Sequence, residues 1–247
     1  MDLNIYDDKV ETSKKAANRA ATLLRGAIED QGQAVFVLAT GVSQLEFLSH
    51  LTEIDYVDWS KTTALHLDEY VGLSPDHRAS FRKYLDDNFF DKVNISTVHK
   101  IKGERENPKG ECARLNDIVK DLAIDVAFLG IGENGHIAFN DPPADFDTDD
   151  PYIVVELDKR CREQQVGEGW FDSVEDVPKK AISMSVRQIM RAHNIVCTVP
   201  GKRKAEAVET CLTGKVSPER PASILHRHDS AYIYLDRESA SLLDEYE

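Results

Sequence analysis

No stretch of the 247 residues approaches the ~20 apolar residues that a membrane span requires. The N-terminus, MDLNIYDDKVE, is acidic and short of apolar residues, so it does not read as a secretory leader. Cysteine is sparse: Cys112, Cys161, Cys197 and Cys211 are widely spaced with no C-x-x-C, as expected of a reduced, cytoplasmic chain with buried thiols. Basic residues are in deficit, 30 Lys and Arg against 44 Asp and Glu, for a formal charge of −14. Such a surface argues against general affinity for nucleic acid or an anionic membrane, but not against a small anion in a locally basic pocket. Internal repeats and low-complexity tracts are also missing. What remains is an ordinary globular composition, 41% hydrophobic and 30% charged, long enough to bury a sizeable core.

Apolar runs alternate with helical patterns. Residues 12–29 predict a helix, with Ala17, Ala20, Ala21, Leu24 and Ala27 on one side. AVFVLA (34–39) is near-continuously apolar, as a strand buried on both faces should be. Further strands are predicted at 64–68, 124–130, 152–157, 181–184, 194–200 and 231–236. Helices are predicted from about Ser43, at 81–90, 111–122 and 203–212, with a short one running to the terminus. This order predicts an α/β fold: a mostly parallel open sheet with helices on both faces, a Rossmann-like three-layer sandwich forming a single domain over 1–247. Right-handed crossovers then put the strand C-termini on one ligand-binding edge. The acidic, proline-rich stretch 141–151 reads as a surface loop, at the base of a flap spanning about 145–180.

The sequence FLGIGENGHIAFNDPP (128–143) places Gly130, Gly132 and Gly135 at G-x-G-x-x-G spacing after a strand. A dinucleotide fingerprint needs a helix to follow, whose N-terminus holds the pyrophosphate. Pro142 and Pro143 stop any such helix within two turns. The glycines are read instead as a tight turn at a strand end. His136 then lies on the binding edge, with Asn134 two residues before it and Asp141 five after, which makes it a catalytic candidate.

Three other strand ends carry chemistry. LHLDEYVGL (65–73) ends in Asp68-Glu69; neighbours on a strand point to opposite faces, so the two acids serve different ends, and Asp68 alone would suit a helix or turn cap. In VLATGVSQL (37–45), Thr40, Gly41 and Ser43 offer hydroxyls and backbone N–H groups at a helix start, where a phosphate fits. In VPGKRKAEAV (199–208), Lys202, Arg203 and Lys204 stand where the helix dipole disfavours cations, which suggests that at least one meets an anion. A phosphate cradle, a carboxylate and a histidine–carboxylate pair on one edge are equipment for acid–base chemistry on a small phosphorylated metabolite.

Taken in order, LATGVSQ, LDEYVGL, GIGENGHIAFNDP and GKRKAEAV resemble the glucosamine-6-phosphate deaminase/isomerase family, over about residues 35–236. The resemblance implies conversion of a small phosphorylated aminosugar, glucosamine 6-phosphate or its galacto epimer, to a ketose 6-phosphate and ammonia. It implies Asp68 as the base that moves the C2 proton to C1 and His136 as the group that assists ring opening. It assigns Asn134 and Asp141 to the catalytic set, and Thr40, Gly41, Ser43, Glu69, Gly135 and Lys204 to substrate binding, with no metal and no cofactor. Sugar lactonases of the same fold, and a non-catalytic sugar-phosphate sensor, are the alternatives.

The chain departs from the family pattern in three places. Asn134 stands where an aspartate is usual and Asp141 where a glutamate is, so either Asn134 orients the His136 ring through its carbonyl oxygen or Asp141 takes over the pairing. The usual flap arginine before F-x-x-x-x-x-V-P is missing from CREQQVGEGWFDSVEDVP, which leaves Arg162 or Arg227 to replace it. The tail of some allosteric members is missing too, which implies a monomer or homodimer rather than a hexamer. In HRH (226–228), a surface or pocket-edge role is expected over metal binding.

Overall fold

A computed structural model describes residues 1–243 of the chain; the terminal helix expected after the last strand falls partly outside them. The elements run β1 (Asp2–Tyr6), α1 (Lys9–Gln31), β2 (Ala34–Leu38), α2 (Leu45–Thr52), β3 (Thr62–His66), β4 (Asp68–Tyr70), α3 (Phe81–Asn88), β5 (Thr97–His99), α4 (Pro108–Val119), β6 (Val126–Leu129), β7 (Tyr152–Glu156), α5 (Lys159–Gly167), β8 (Lys180–Met184), α6 (Val186–Ile189), β9 (Asn194–Val199), α7 (Ala205–Leu212) and β10 (Ala231–Asp236). Seven strands form one parallel sheet in the order β1-β10-β9-β6-β2-β3-β5.

The central strands are apolar at every position because the sheet is covered on both faces. Alternation divides their side chains. Phe36, Leu38, Val126, Phe128 and Val196 join α1 and α2 in one core, while Val35, Val37, Ala127, Leu129, Ile195 and Cys197 join α4 and α7 in the other. Helix α1 packs through the predicted small-residue stripe of Ala17, Ala20, Ala21 and Leu24. It starts three residues earlier than predicted because Asp8 caps it, accepting from the N–H groups of Val10 and Glu11.

Two edge strands, β1 and β5, carry too few apolar residues to be read from the sequence. The larger correction concerns three short segments. The runs at 152–157 and 181–184 do not belong to the parallel sheet; with Asp68–Tyr70 they form a separate antiparallel sheet, β4-β8-β7. The predicted strand 64–68 is in fact broken at Leu67. There the chain leaves the large sheet and enters the small one, with Leu67 N–H donating to Leu38 and Leu67 C=O accepting from Met184. The small sheet thereby caps the C-terminal edge of the large one. No helix follows Gly135: residues 131–143 are turns and coil.

Candidate active site

Four loops leave the C-terminal edge of β2, β3, β6 and β9. In strand order β2 and β6 are neighbours, and the chain winds outward from them in opposite directions, so the loops at 39–43 and 130–136 flank the switch point of the sheet. A cavity of about 60 Å³ opens there. Its lining includes Thr40, Gly41, Ser43, Asp68, Gly132, His136, Gln164, Glu168 and Lys204. Asp68 and His136, 68 positions apart in sequence, therefore face one space.

The small sheet brings them together. Asp68 pairs with Ser183 on β8, and the Ser183 hydroxyl accepts from Phe139 N–H at 3.0 Å. Asn140 Nδ2 donates to the carbonyls of Met184 and Ile137, both at 2.9 Å. One strand thus fixes the base of Asp68 and the loop that bears His136. His66 adds a second anchor: its Nε2 accepts from Ile101 N–H at 2.9 Å, so its Nδ1 carries the proton and donates to the Asp68 carbonyl at 2.9 Å. Full burial drives His66 down to about 3, which keeps it neutral in this role.

Asp68 is 5% exposed. Burial, reinforced by the neighbouring Glu69 charge, pushes its carboxyl well above the usual range. Glu69 itself is not in the cavity, contrary to the substrate-binding role implied by resemblance. Its oxygens accept from Tyr70 N (2.9 Å), Ser80 Oγ (2.8 Å), Phe81 N (3.2 Å) and Arg82 N (3.0 Å), closing the start of α3. The two acids do serve different ends, and it is Glu69, not Asp68, that satisfies N–H groups at a helix start, beside the N-cap Ser80.

His136 stacks over Gly132, where a Cβ would come within 2.2 Å of the ring, so only glycine fits beneath it. Its Nδ1 lies 3.1 Å from Asp141 Oδ1, with both side chains buried; the N–H is off the line to the oxygen, so the contact is a close approach rather than a straight hydrogen bond, and an ion pair when the ring carries two protons. Asp141 is held by Asn134 Nδ2 at 2.9 Å and Asp158 N at 3.0 Å. Burial raises the Asp141 carboxyl, but His136 and these donors outweigh it and hold the group below its ordinary value.

Asn134 does not orient the ring. Its carbonyl oxygen accepts from the His136 backbone N–H at 3.1 Å, and its amide donates to both Asp141 and Asp158 (3.1 Å). Gly135 also faces away: at φ +84°, its missing Cβ would sit 2.9 Å from Cys211 Sγ under α7. Among the described residues, one group has ligand atoms close enough for a metal: His136, Asp141 and Cys161, within 4.8 Å of one another. Burial drives the Cys161 thiol far upward, so it stays protonated beside Asp141.

The opposite wall is built from two matching turns. Gly41 (φ +106°) and Gly201 (φ +95°) each open a three-residue 3-10 turn that leads into an eight-residue helix. The third residues, Gln44 and Lys204, point inward. Gln44 Nε2 donates to the Thr198 carbonyl and ties the first turn to the end of β9. No acceptor among the described residues takes the N–H groups of Thr40, Gly41, Val42 or Ser43. Lys204 is 7% exposed and is the one cation among the described lining residues. Burial lowers its ammonium, opposed by Glu168 and Glu133.

Neither expected replacement cation is there. Arg162 donates to the Val174 carbonyl and Arg227 lies on the surface. His226 is exposed as well, while His228 is a satisfied core residue bonded to the Ala192 carbonyl and Ser230 N–H. Sequence reasoning assigned no role to Gln164, Gln165 and Glu168. The only signal was two adjacent glutamines in a helix with little apolar surface. Gln165 takes the Tyr70 hydroxyl at 2.9 Å, and Gln164 takes Glu133 N–H at 3.0 Å.

Fold and rim together define a class: an α/β protein whose sheet switch point carries a turn of free backbone N–H groups and a buried lysine on one wall and a carboxylate–histidine pair on the other. The family model for glucosamine-6-phosphate isomerases/6-phosphogluconolactonase matches residues 7–234, and the chain belongs to that family. It is 38% identical over 231 residues to a glucosamine-6-phosphate deaminase of an Exiguobacterium species, covering 94% of this chain and 89% of the relative. It is 37% identical to one of Streptococcus pneumoniae, covering 96% and 98%. The solved structure of a monomeric glucosamine-6-phosphate deaminase superposes with a TM-score of 0.89 at 34% identity, covering 98% of this chain and all of that one. A 6-phosphogluconolactonase from Trypanosoma brucei shares the fold alone, with a TM-score of 0.79 at 15% identity and 98% of each chain covered. Among the described residues, no helix is long and apolar enough to cross a membrane.

Proposed function

We propose that this protein is an aminosugar-phosphate deaminase/isomerase, acting on glucosamine 6-phosphate or its galacto epimer. The observation that carries the reading is that Asp68 and His136 share one cavity with the Thr40–Ser43 turn and Lys204. The phosphate takes the free N–H groups and the ammonium. His136 passes a proton to the ring oxygen as the ring opens, with Asp141 stabilising the imidazolium. Ionised Asp68 removes the C2 proton and returns it to C1, which leaves an imine at C2. Water adds there and ammonia leaves, giving the ketose 6-phosphate. A carboxylate whose affinity for protons is raised by burial is a stronger base for this transfer. Its burial holds it in place for close positioning. Activity therefore falls with acid as Asp68 takes up its proton. A monomer or homodimer fits the reading.

Ammonia release from the two hexosamine 6-phosphates, measured side by side, tests the reaction, with Asp68→Asn as control. Turnover should be lost in the variant while binding of a phosphorylated inhibitor persists. Solvent deuterium should enter the product at carbon. Hydrolysis of a sugar lactone without carbon-bound deuterium would replace this reading with the lactonase one; binding without ammonia would replace it with a sensor.

A further inference from the structure

The anion wall contains an acid. Glu168 closes the C-terminus of α5, and its carboxylate lies over Gly41: a Cβ built on that glycine would be 3.8 Å from Oε2. The N–H groups of the 40–43 turn have no acceptor among the described residues. Glu168 and Lys204 line the same cavity, and no carboxylate lies within ion-pair distance of the Lys204 ammonium among those residues. Both oxygens of Glu168 are held by neutral donors from its own segment, Oε1 by Gln164 Nε2 at 2.8 Å and Oε2 by Trp170 Nε1 at 3.2 Å. Nothing on the 40–43 turn bonds the carboxylate in return. It rests in the cradle without being fastened to it.

We infer that Glu168 is a resident anion in the phosphate cradle, which an incoming phosphate must displace, and that it sets how tightly the site holds a phosphorylated ligand. The inference rests on the aminosugar-phosphate reading for its ligand, but not on the reaction. A phosphate drawn to the Thr40–Ser43 N–H groups and Lys204 meets a like charge beside Gly41. Repulsion between two anions crowded in a partly buried site is stronger than in water. Glu168 must swing out, and its bonds to Gln164 and Trp170 break or move with it. Trp170 packs edge-on to Tyr84, whose hydroxyl bonds the Gly41 carbonyl at 2.8 Å. Displacement of Glu168 is therefore transmitted to the indole.

Glu168→Gln keeps the shape and removes the charge. Titration calorimetry with inorganic phosphate and with glucosamine 6-phosphate should show binding about tenfold tighter or more in this variant, a gain of about 1.4 kcal/mol. Tryptophan emission should change on saturation of the wild type, lose that change in Trp170→Phe, and change less in Glu168→Gln. Equal or weaker phosphate binding by Glu168→Gln overturns the inference, since Glu168 would then be a spectator or a ligand. Ammonia release by the wild type is scored separately. If ammonia is released without the gain in affinity, only the role of Glu168 falls. A gain in phosphate affinity without ammonia leaves that role intact and removes the reaction.

Discussion

Placing at position 134 the aspartate that the resemblance leads one to expect should damage this protein rather than improve it. Asn134 Nδ2 bridges two carboxylates, Asp141 at 2.9 Å and Asp158 at 3.1 Å. Asn134→Asp replaces that donor by an oxygen. Two hydrogen bonds to charged groups are lost, each worth about 1.5–3 kcal/mol. Like charges about 3 Å apart would add roughly 5 kcal/mol per pair at an effective dielectric of about 20, so the cluster takes up a proton instead of ionising fully. We expect a net loss of about 3 kcal/mol or more near neutral pH, or a fall in Tm on the order of 10 °C. The sign of its pH dependence follows. The new acid's pKa is raised in the folded state, so stability is intact below its unfolded value and is lost as pH rises through the folded one. Thermal unfolding followed from about pH 5 to about pH 8 reads this directly. The double variant with Asp158→Asn should recover much of the loss, because asparagine is also a good cap for α5. Unchanged stability at the alkaline end, or faster ammonia release than wild type, would refute the bridging role of Asn134.

Other outcomes follow from the same geometry. Asp141→Asn should lower kcat by about 10²–10⁴, the upper figure being that of the comparable change in a Ser-His-Asp triad, while phosphate affinity holds; kinetics and calorimetry check both. Asp68→Asn should be more stable than wild type at alkaline pH and equal to it in acid: the raised folded pKa of Asp68 makes the native state lose stability as that group ionises, and the amide cannot. Chemical denaturation at two pH values measures the difference. Glu69→Gln, which loses an acceptor for the donors at the start of α3, should cost about 2–3 kcal/mol in urea unfolding but leave the kcat of the folded fraction within a fewfold.

The sequence by itself determined the parallel sheet. Central strands such as Ala34–Leu38 must be apolar at every position to be covered on both faces, and that pattern is local. It also fixed the absence of a helix after Gly135, since two prolines forbid one whatever surrounds them. That Asp68 and Glu69 diverge was legible too, because alternation is a property of the strand. The tertiary structure decided what those side chains meet. In the antiparallel β4-β8-β7 sheet, β4 pairs with a strand more than 100 residues away, and pairing across such a distance leaves no trace in the composition of either segment. On that pairing depended the convergence of Asp68 and His136; other packing decided that Asp141 rather than Asn134 meets the ring and that Glu168 lies over Gly41. Each is a contact a few ångströms wide, set by how whole elements pack and not by the spacing of residues along the chain.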